Sequence, residues 1–127
     1  MPPTVSNLIP YAHVLDVPRS VAFYELFGFK IISRHEHPPG RLLWAHMESG
    51  HGRLMVARAD GPVDPTVQAI LFYLYADNVA ALREHLLDNS TEISEVSHPF
   101  YMPDGEIRVA DPDGYVLLIG QLKPLKS

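Results

Sequence analysis

The sequence predicts an α+β fold: two tandem βαβββ modules forming a cup-shaped mixed sheet with the helices outside. Three observations predict it. The order strand, helix, three strands reads twice along 127 residues. Asp16 and Asp77 each head a helical pattern, and they lie 61 residues apart (77 minus 16). Between the halves, residues 60–65 carry Gly61, Pro62 and Pro65, the composition of a linker. The expected division is one domain over 1–127, with module one at about 5–60, a linker at about 60–66 and module two at about 67–122.

In the first module, residues 8–15 form an apolar run of strand length. Asp16 follows as a helix N-cap, because its carboxylate accepts from the first free backbone N–H groups. Pro18 falls in the first turn, where a missing N–H costs nothing. Val21, Phe23, Tyr24 and Phe27 recur at helical spacing, and Gly28 supplies the stop. Residues 29–36 read as a strand broken by Pro38-Pro39-Gly40. Residues 42–48 and 53–59 are two more strands, joined by a Gly-His-Gly turn at 50–52.

In the second module, residues 67–76 are a strand rich in aromatic and aliphatic side chains, and Asp77 takes the cap role of Asp16. Ala80, Ala81, Leu82, Leu86 and Leu87 continue as a helix ending near Asn89, the counterpart of Gly28. Residues 92–96 are expected as a strand and 97–103, with two prolines, as a loop. Residues 106–110 and 115–121 form a hairpin around Asp111-Pro112-Asp113-Gly114.

Composition narrows the function. Fifteen acidic against ten basic residues give a net charge of -5, and no Lys/Arg cluster offsets it, so nucleic acid is not an expected partner. No apolar run approaches the length that spans a bilayer, and no export signal opens the chain, so the expected location is the cytoplasm. Cysteine is absent, which removes thiolate metal sites and thiol nucleophiles together. There is no Gly-rich phosphate loop and no nucleophile elbow.

Two stretches resemble a known family. Asp16-Val17-Pro18-Arg19-Ser20-Val21-Ala22-Phe23-Tyr24 followed by Leu26-Phe27-Gly28-Phe29 resembles the first helix of the vicinal oxygen chelate superfamily, which holds glyoxalases, extradiol dioxygenases, fosfomycin-resistance enzymes and bleomycin-resistance proteins. Asp111-Pro112-Asp113-Gly114-Tyr115 resembles the turn before its last strand, and Gly52 followed by Leu54-Met55 fits its fourth strand. The short helix looks most like the bleomycin-resistance branch. The resemblance spans roughly residues 8–121 and implies a homodimer. Asp111 and Asp113 themselves read as turn residues.

In the metalloenzymes of that superfamily, ligands sit on the first and last strands of each module. Carried across by the cap and the turn, those positions are Ile9, Met55, Leu71 and Leu118. None supplies the nitrogen or oxygen lone pairs that a hard or borderline cation requires. Shifting by one residue reaches only Leu, Pro, Val, Ile and Phe. No metal or other cofactor is therefore expected.

Side chains alternate across a strand. The face holding those four positions then also presents Tyr11, His13, Trp44, His46, Tyr73 and Tyr75. This is an aromatic, mostly apolar lining suited to a planar small molecule. Phe100 and Tyr101, between Pro99 and Pro103, are candidates for a lid. Arg108 is the candidate for an anionic substituent. The expected ligand-binding set is Tyr11, His13, Trp44, His46, Met55, Tyr73, Tyr75, Phe100, Tyr101 and Arg108. No residue is assigned to catalysis. His35 and His37 read as a solvated pair beside Pro38, His51 and His85 as surface, and His98 has no assigned role. The favoured function is a metal-free protein that binds or sequesters an aromatic molecule, an antibiotic among the possibilities. The alternative is a glyoxalase- or dioxygenase-like lyase or isomerase with a non-standard metal site at His13, His46 and Glu106, or with a histidine base.

Overall fold

A computed structural model of the chain describes residues 3–123. Two compact units divide at Val63/Asp64. The strands form two mixed sheets, one per unit, of four and three strands.

The first unit runs β1 (Tyr11–Val14), α1 (Val17–Glu25), β2 (Lys30–Glu36), β3 (Leu42–Ser49) and β4 (Gly52–Arg58). Its sheet order is β1-β4-β3-β2, with β1 parallel to β4 and the other pairs antiparallel. The strand expected from residue 8 begins only at Tyr11, so Ile9 lies outside it. Pro10 has no N–H to give, although its carbonyl still accepts from Met55 N at 2.9 Å.

Asp16 caps α1 as expected, its carboxylate accepting from Arg19 N at 3.1 Å. Gly28 ends the turn at φ +92°, a conformation open to glycine. The helix buries Val17, Val21 and Tyr24. It packs on β3 and β4, whose Ala45, Met47, Leu54 and Val56 are buried. Each such aliphatic side chain stabilises the unit by about 1.5–3 kcal/mol relative to exposure.

The second unit opens with a 3-10 turn at Pro65–Val67, then β5 (Leu71–Ala76), α2 (Val79–Asp88), β6 (Glu106–Ala110) and β7 (Val116–Gln121). The sheet order is β5-β7-β6, with β5 parallel to β7. Ile107, Val109, Leu117 and Ile119 are buried with Val79 and Leu86 of α2.

Three expectations are corrected here. The cap of α2 is Asn78, whose side chain accepts from Ala81 N at 3.0 Å, and not Asp77. Either side chain can cap, and the backbone selects the residue one step later. The left-handed residue after α2 is Ser90 at φ +61°, not Asn89 at φ −103°. The caps (78 minus 16) and the stops (90 minus 28) thus share an offset of 62, one more than the sequence pattern implies.

The third correction concerns residues 92–96, which form no strand. The segment runs beside β6 but pairs irregularly. Ser94 N donates to Arg108 O at 3.1 Å, whereas Arg108 N donates to the Ser94 hydroxyl at 2.9 Å and not to a backbone carbonyl. Ladder pairing returns only at Ser97 and Glu106.

The turn before β7 is built by Asp111, whose carboxylate accepts from Asp113 N and Tyr115 N, both at 2.9 Å. Gly114 sits at φ +86°, and a Cβ there would come within 2.5 Å of Pro65.

Candidate functional site

Each unit has one sheet face turned away from its helix, and register assigns the side chains on it. In the first unit, Tyr11 pairs with Met55, Met55 with His46, and His46 with Ser33. A second row runs His13, Ala57, Trp44 and His35. Residues directly opposite in a sheet share a face. Tyr11, His13, Trp44, His46 and Met55 therefore lie on one face. Trp44 and His46 approach edge-to-face at 6.2 Å, and Tyr11 and His13 at 5.6 Å. His46 Nε2 is buried without a hydrogen-bond partner among the described residues. A buried ring nitrogen in that state favours an incoming donor or acceptor.

The sequence reads His35 as a solvated residue beside a strand end. It is exposed, but it pairs with Trp44 and so borders the same face. His37 lies past β2 and is also exposed.

In the second unit, Tyr73 pairs with Leu118 and Leu118 with Arg108. Tyr75 pairs with Gly120 and Gly120 with Glu106, while Leu71 pairs with Val116. Tyr73, Tyr75, Leu71, Leu118, Glu106 and Arg108 thus share a face. Tyr73 and Tyr75 have ring centroids 5.2 Å apart. Leu71 and Tyr75 are exposed, leaving an uncovered apolar and aromatic strip.

Sequence reasoning names Tyr73, Tyr101 and Glu106 separately but misses that the two phenols meet on the one carboxyl group. Glu106 is only 6% exposed. One of its carboxylate oxygens accepts from the Tyr73 hydroxyl at 2.8 Å and the other from the Tyr101 hydroxyl at 2.9 Å. Tyr73 reaches it across Gly120, where a Cβ would stand 2.6 Å from the phenol oxygen. A glycine inside a strand is the sequence signal for such a close approach. Desolvation, then the bond to Glu106, raises the Tyr73 phenol well above its ordinary value. The Tyr101 phenol is raised too, chiefly by its bond to Glu106.

Tyr101 comes from the proline-flanked loop. Met102 N donates to Pro99 O at 2.9 Å, a His98 ring nitrogen lies 2.9 Å from Pro103 O, and Met102 is buried. These contacts fix the loop and give His98 the role that the sequence leaves blank. Phe100, at 95% exposed, stands at its tip with its ring 5.4 Å from Tyr101. Arg108 is exposed and makes no ion pair with Glu106. It also borders a surface groove of about 410 Å³ between residues 91–94 and 108–110.

Among the described residues, no three His, Asp or Glu side chains gather so as to hold a metal ion. Met55, Leu71 and Leu118, which the resemblance sets at the metalloenzymes' ligand positions, lie on the two aromatic faces. No helix among the described residues is long and apolar enough to cross a membrane.

The family model described as Glyoxalase/Bleomycin resistance protein/Dioxygenase superfamily matches residues 12–119. The chain belongs to this superfamily. A search of curated proteins finds no match. Among solved structures, the fold is similar to that of a bleomycin resistance determinant encoded on the transposon Tn5, with a TM-score of 0.76 and 20% identity over 94% of this chain and 100% of that one. It is similar to a bleomycin-binding protein in complex with bleomycin, with a TM-score of 0.74 and 20% identity over 94% and 100% of the two chains. An antibiotic-binding protein from Streptomyces sp. CB03234 aligns with a TM-score of 0.70 and 21% identity over 94% and 98%. The superfamily's fold is thus shared with small-molecule-binding members, and the chemistry must be argued from this chain's own residues.

Proposed function

We propose that this superfamily member is a metal-free protein that binds and sequesters a small aromatic molecule, with antibiotics of the kind its structural neighbours hold as the first candidates. The observation that carries the proposal is the pairing of two features. Hydrocarbon or thioether groups stand at Ile9, Met55, Leu71 and Leu118, and aromatic side chains share with the last three the sheet faces turned away from each unit's own helix. Such faces favour planar organic groups over cations, because stacking and apolar burial act where lone pairs are missing.

In this proposal, Trp44, Tyr11, Tyr73 and Tyr75 supply ring surface, Met55 supplies a deformable wall, and Phe100 and Tyr101 cover the bound molecule. His13 and His46 fix orientation by hydrogen bonding. Arg108 meets an acidic substituent if the ligand has one. The protein works in the cytoplasm as a homodimer, in which a second copy covers exposed apolar side chains such as Leu71.

Titration of Trp44 fluorescence with bleomycin and with planar aromatic antibiotics tests the proposal. Saturable quenching that survives a chelator, and that weakens on Tyr73→Ala, supports it. Conversion of the added compound to a product, or quenching only with a divalent metal, would overturn it.

A further inference from the structure

Glu106 is a buried carboxyl group. No ion pair involving it occurs among the described residues, and both its oxygens are held only by phenol hydroxyls. Each oxygen lies within hydrogen-bond reach of one phenol hydroxyl, so a carboxylate here is met by two neutral donors. Burying such a charge is costly unless strong partners meet it. Neutral phenols meet it less well than a cation would.

The surroundings suit a particular cation. Tyr73 and Tyr75 lie on the same face, and Tyr101 and Phe100 stand beside it on the loop. Glu106 meets the hydroxyl tips of Tyr73 and Tyr101, and the Tyr75 and Phe100 rings stand next to those two, so an organic ammonium reaching the carboxylate gains charge attraction there and cation–π attraction from rings along the way.

We infer that Glu106 is the anchor for a basic nitrogen carried by the ligand, with the Tyr101 hydroxyl as the donor that this nitrogen displaces. The inference rests on the second unit's face being a ligand surface, and it narrows the ligand class to aromatic molecules bearing an amine or similar cation. Tyr73 stays in place, because its phenol is seated over Gly120 beside Met102. Tyr101 is the one that yields. Its side chain is 52% exposed, and the loop backbone on either side is pinned, so the ring turns out without the loop moving. An ammonium then places N–H donors where the Tyr101 O–H was, and the freed phenol hydrogen-bonds to water. Arg108, exposed on the same face, opposes the incoming charge. Its removal is therefore expected to help an amine and to hinder an acid.

The test is calorimetric titration of the full chain at neutral pH with two probes that share a ring, naphthylmethylamine and naphthylmethanol. The amine is expected to bind about tenfold more tightly than the alcohol. Glu106→Gln should erase that preference by weakening the amine far more than the alcohol. Tyr101→Phe keeps the carboxylate but removes the competing hydroxyl, so it should strengthen binding of the amine alone. Arg108→Ala should also strengthen the amine. Circular dichroism checks that Glu106→Gln is folded, and Tyr101→Phe reads the same anchor if it is not. Equal affinity for the two probes would overturn the anchor while leaving the ring-binding surface standing. Failure of both probes to bind would overturn the surface and the anchor together.

Discussion

Replacing Gly120 by Ala tests how the second unit's polar centre is assembled. The added Cβ would stand 2.6 Å from the Tyr73 phenol oxygen and 2.7 Å from Met102 Cε. The Met102 tail is flexible and can move aside at little cost. The Tyr73 ring is rigid, so its hydroxyl must leave Glu106. A hydrogen bond to a charged group contributes about 1.5–3 kcal/mol, and residual crowding adds about 1 kcal/mol. Gly120 is not among the positive-φ residues, so alanine fits the backbone and returns about 0.4–1 kcal/mol through the unfolded chain. Tyr73 is 39% exposed and its phenol regains water once released, which brings the net cost to about 2 kcal/mol. Urea denaturation of the wild type, Gly120→Ala, Tyr73→Phe and the double variant measures it. With the hydroxyl already gone, the alanine should cost less than about 1 kcal/mol, a clear non-additivity. An alanine cost that is the same with and without the Tyr73 hydroxyl would refute the reasoning.

Further expectations follow from other sites. Asp16→Ala and Asn78→Ala each remove a helix cap and should each lower stability by about 1 kcal/mol in denaturation, whereas Asp77→Ala should change it little. Gly114→Ala places a Cβ against Pro65 at positive φ, so a loss of about 2–4 kcal/mol is expected in the same assay. The Tyr73 and Tyr101 phenols are raised in the folded state, so the stability they contribute is complete below the ordinary phenol range near pH 10 and is lost as pH climbs through their raised values. Ultraviolet titration should show two tyrosines ionising late, and Glu106→Gln should bring both earlier.

Local signals were legible in the sequence, and non-local ones were not. The caps and stops of both helices, the hairpin turn at 111–114 and the alternation that puts Tyr11, His13, Trp44, His46 and Met55 together all follow, to within a residue, from period and residue type. Asp77 and Asn78 are both competent caps, so only the backbone could choose between them. The strand expected at 92–96 fails because the Ser94 hydroxyl takes the Arg108 N–H, a contact that no pattern of apolar residues encodes. The Glu106 centre draws on β5, β6, β7 and a loop, and chain spacing gives no hint that two phenols converge on one carboxylate. Gly120 was its single visible trace.

The account depends most on the aromatic faces hosting an organic molecule without help from an ion. Calorimetric titration with bleomycin and planar aromatic antibiotics, run side by side with and without a chelator on protein purified without an affinity tag, measures this directly. The account predicts saturable binding with the same affinity in both runs and no stoichiometric metal in the purified protein. Binding that vanishes with the chelator, or a bound metal at one per chain, would contradict it.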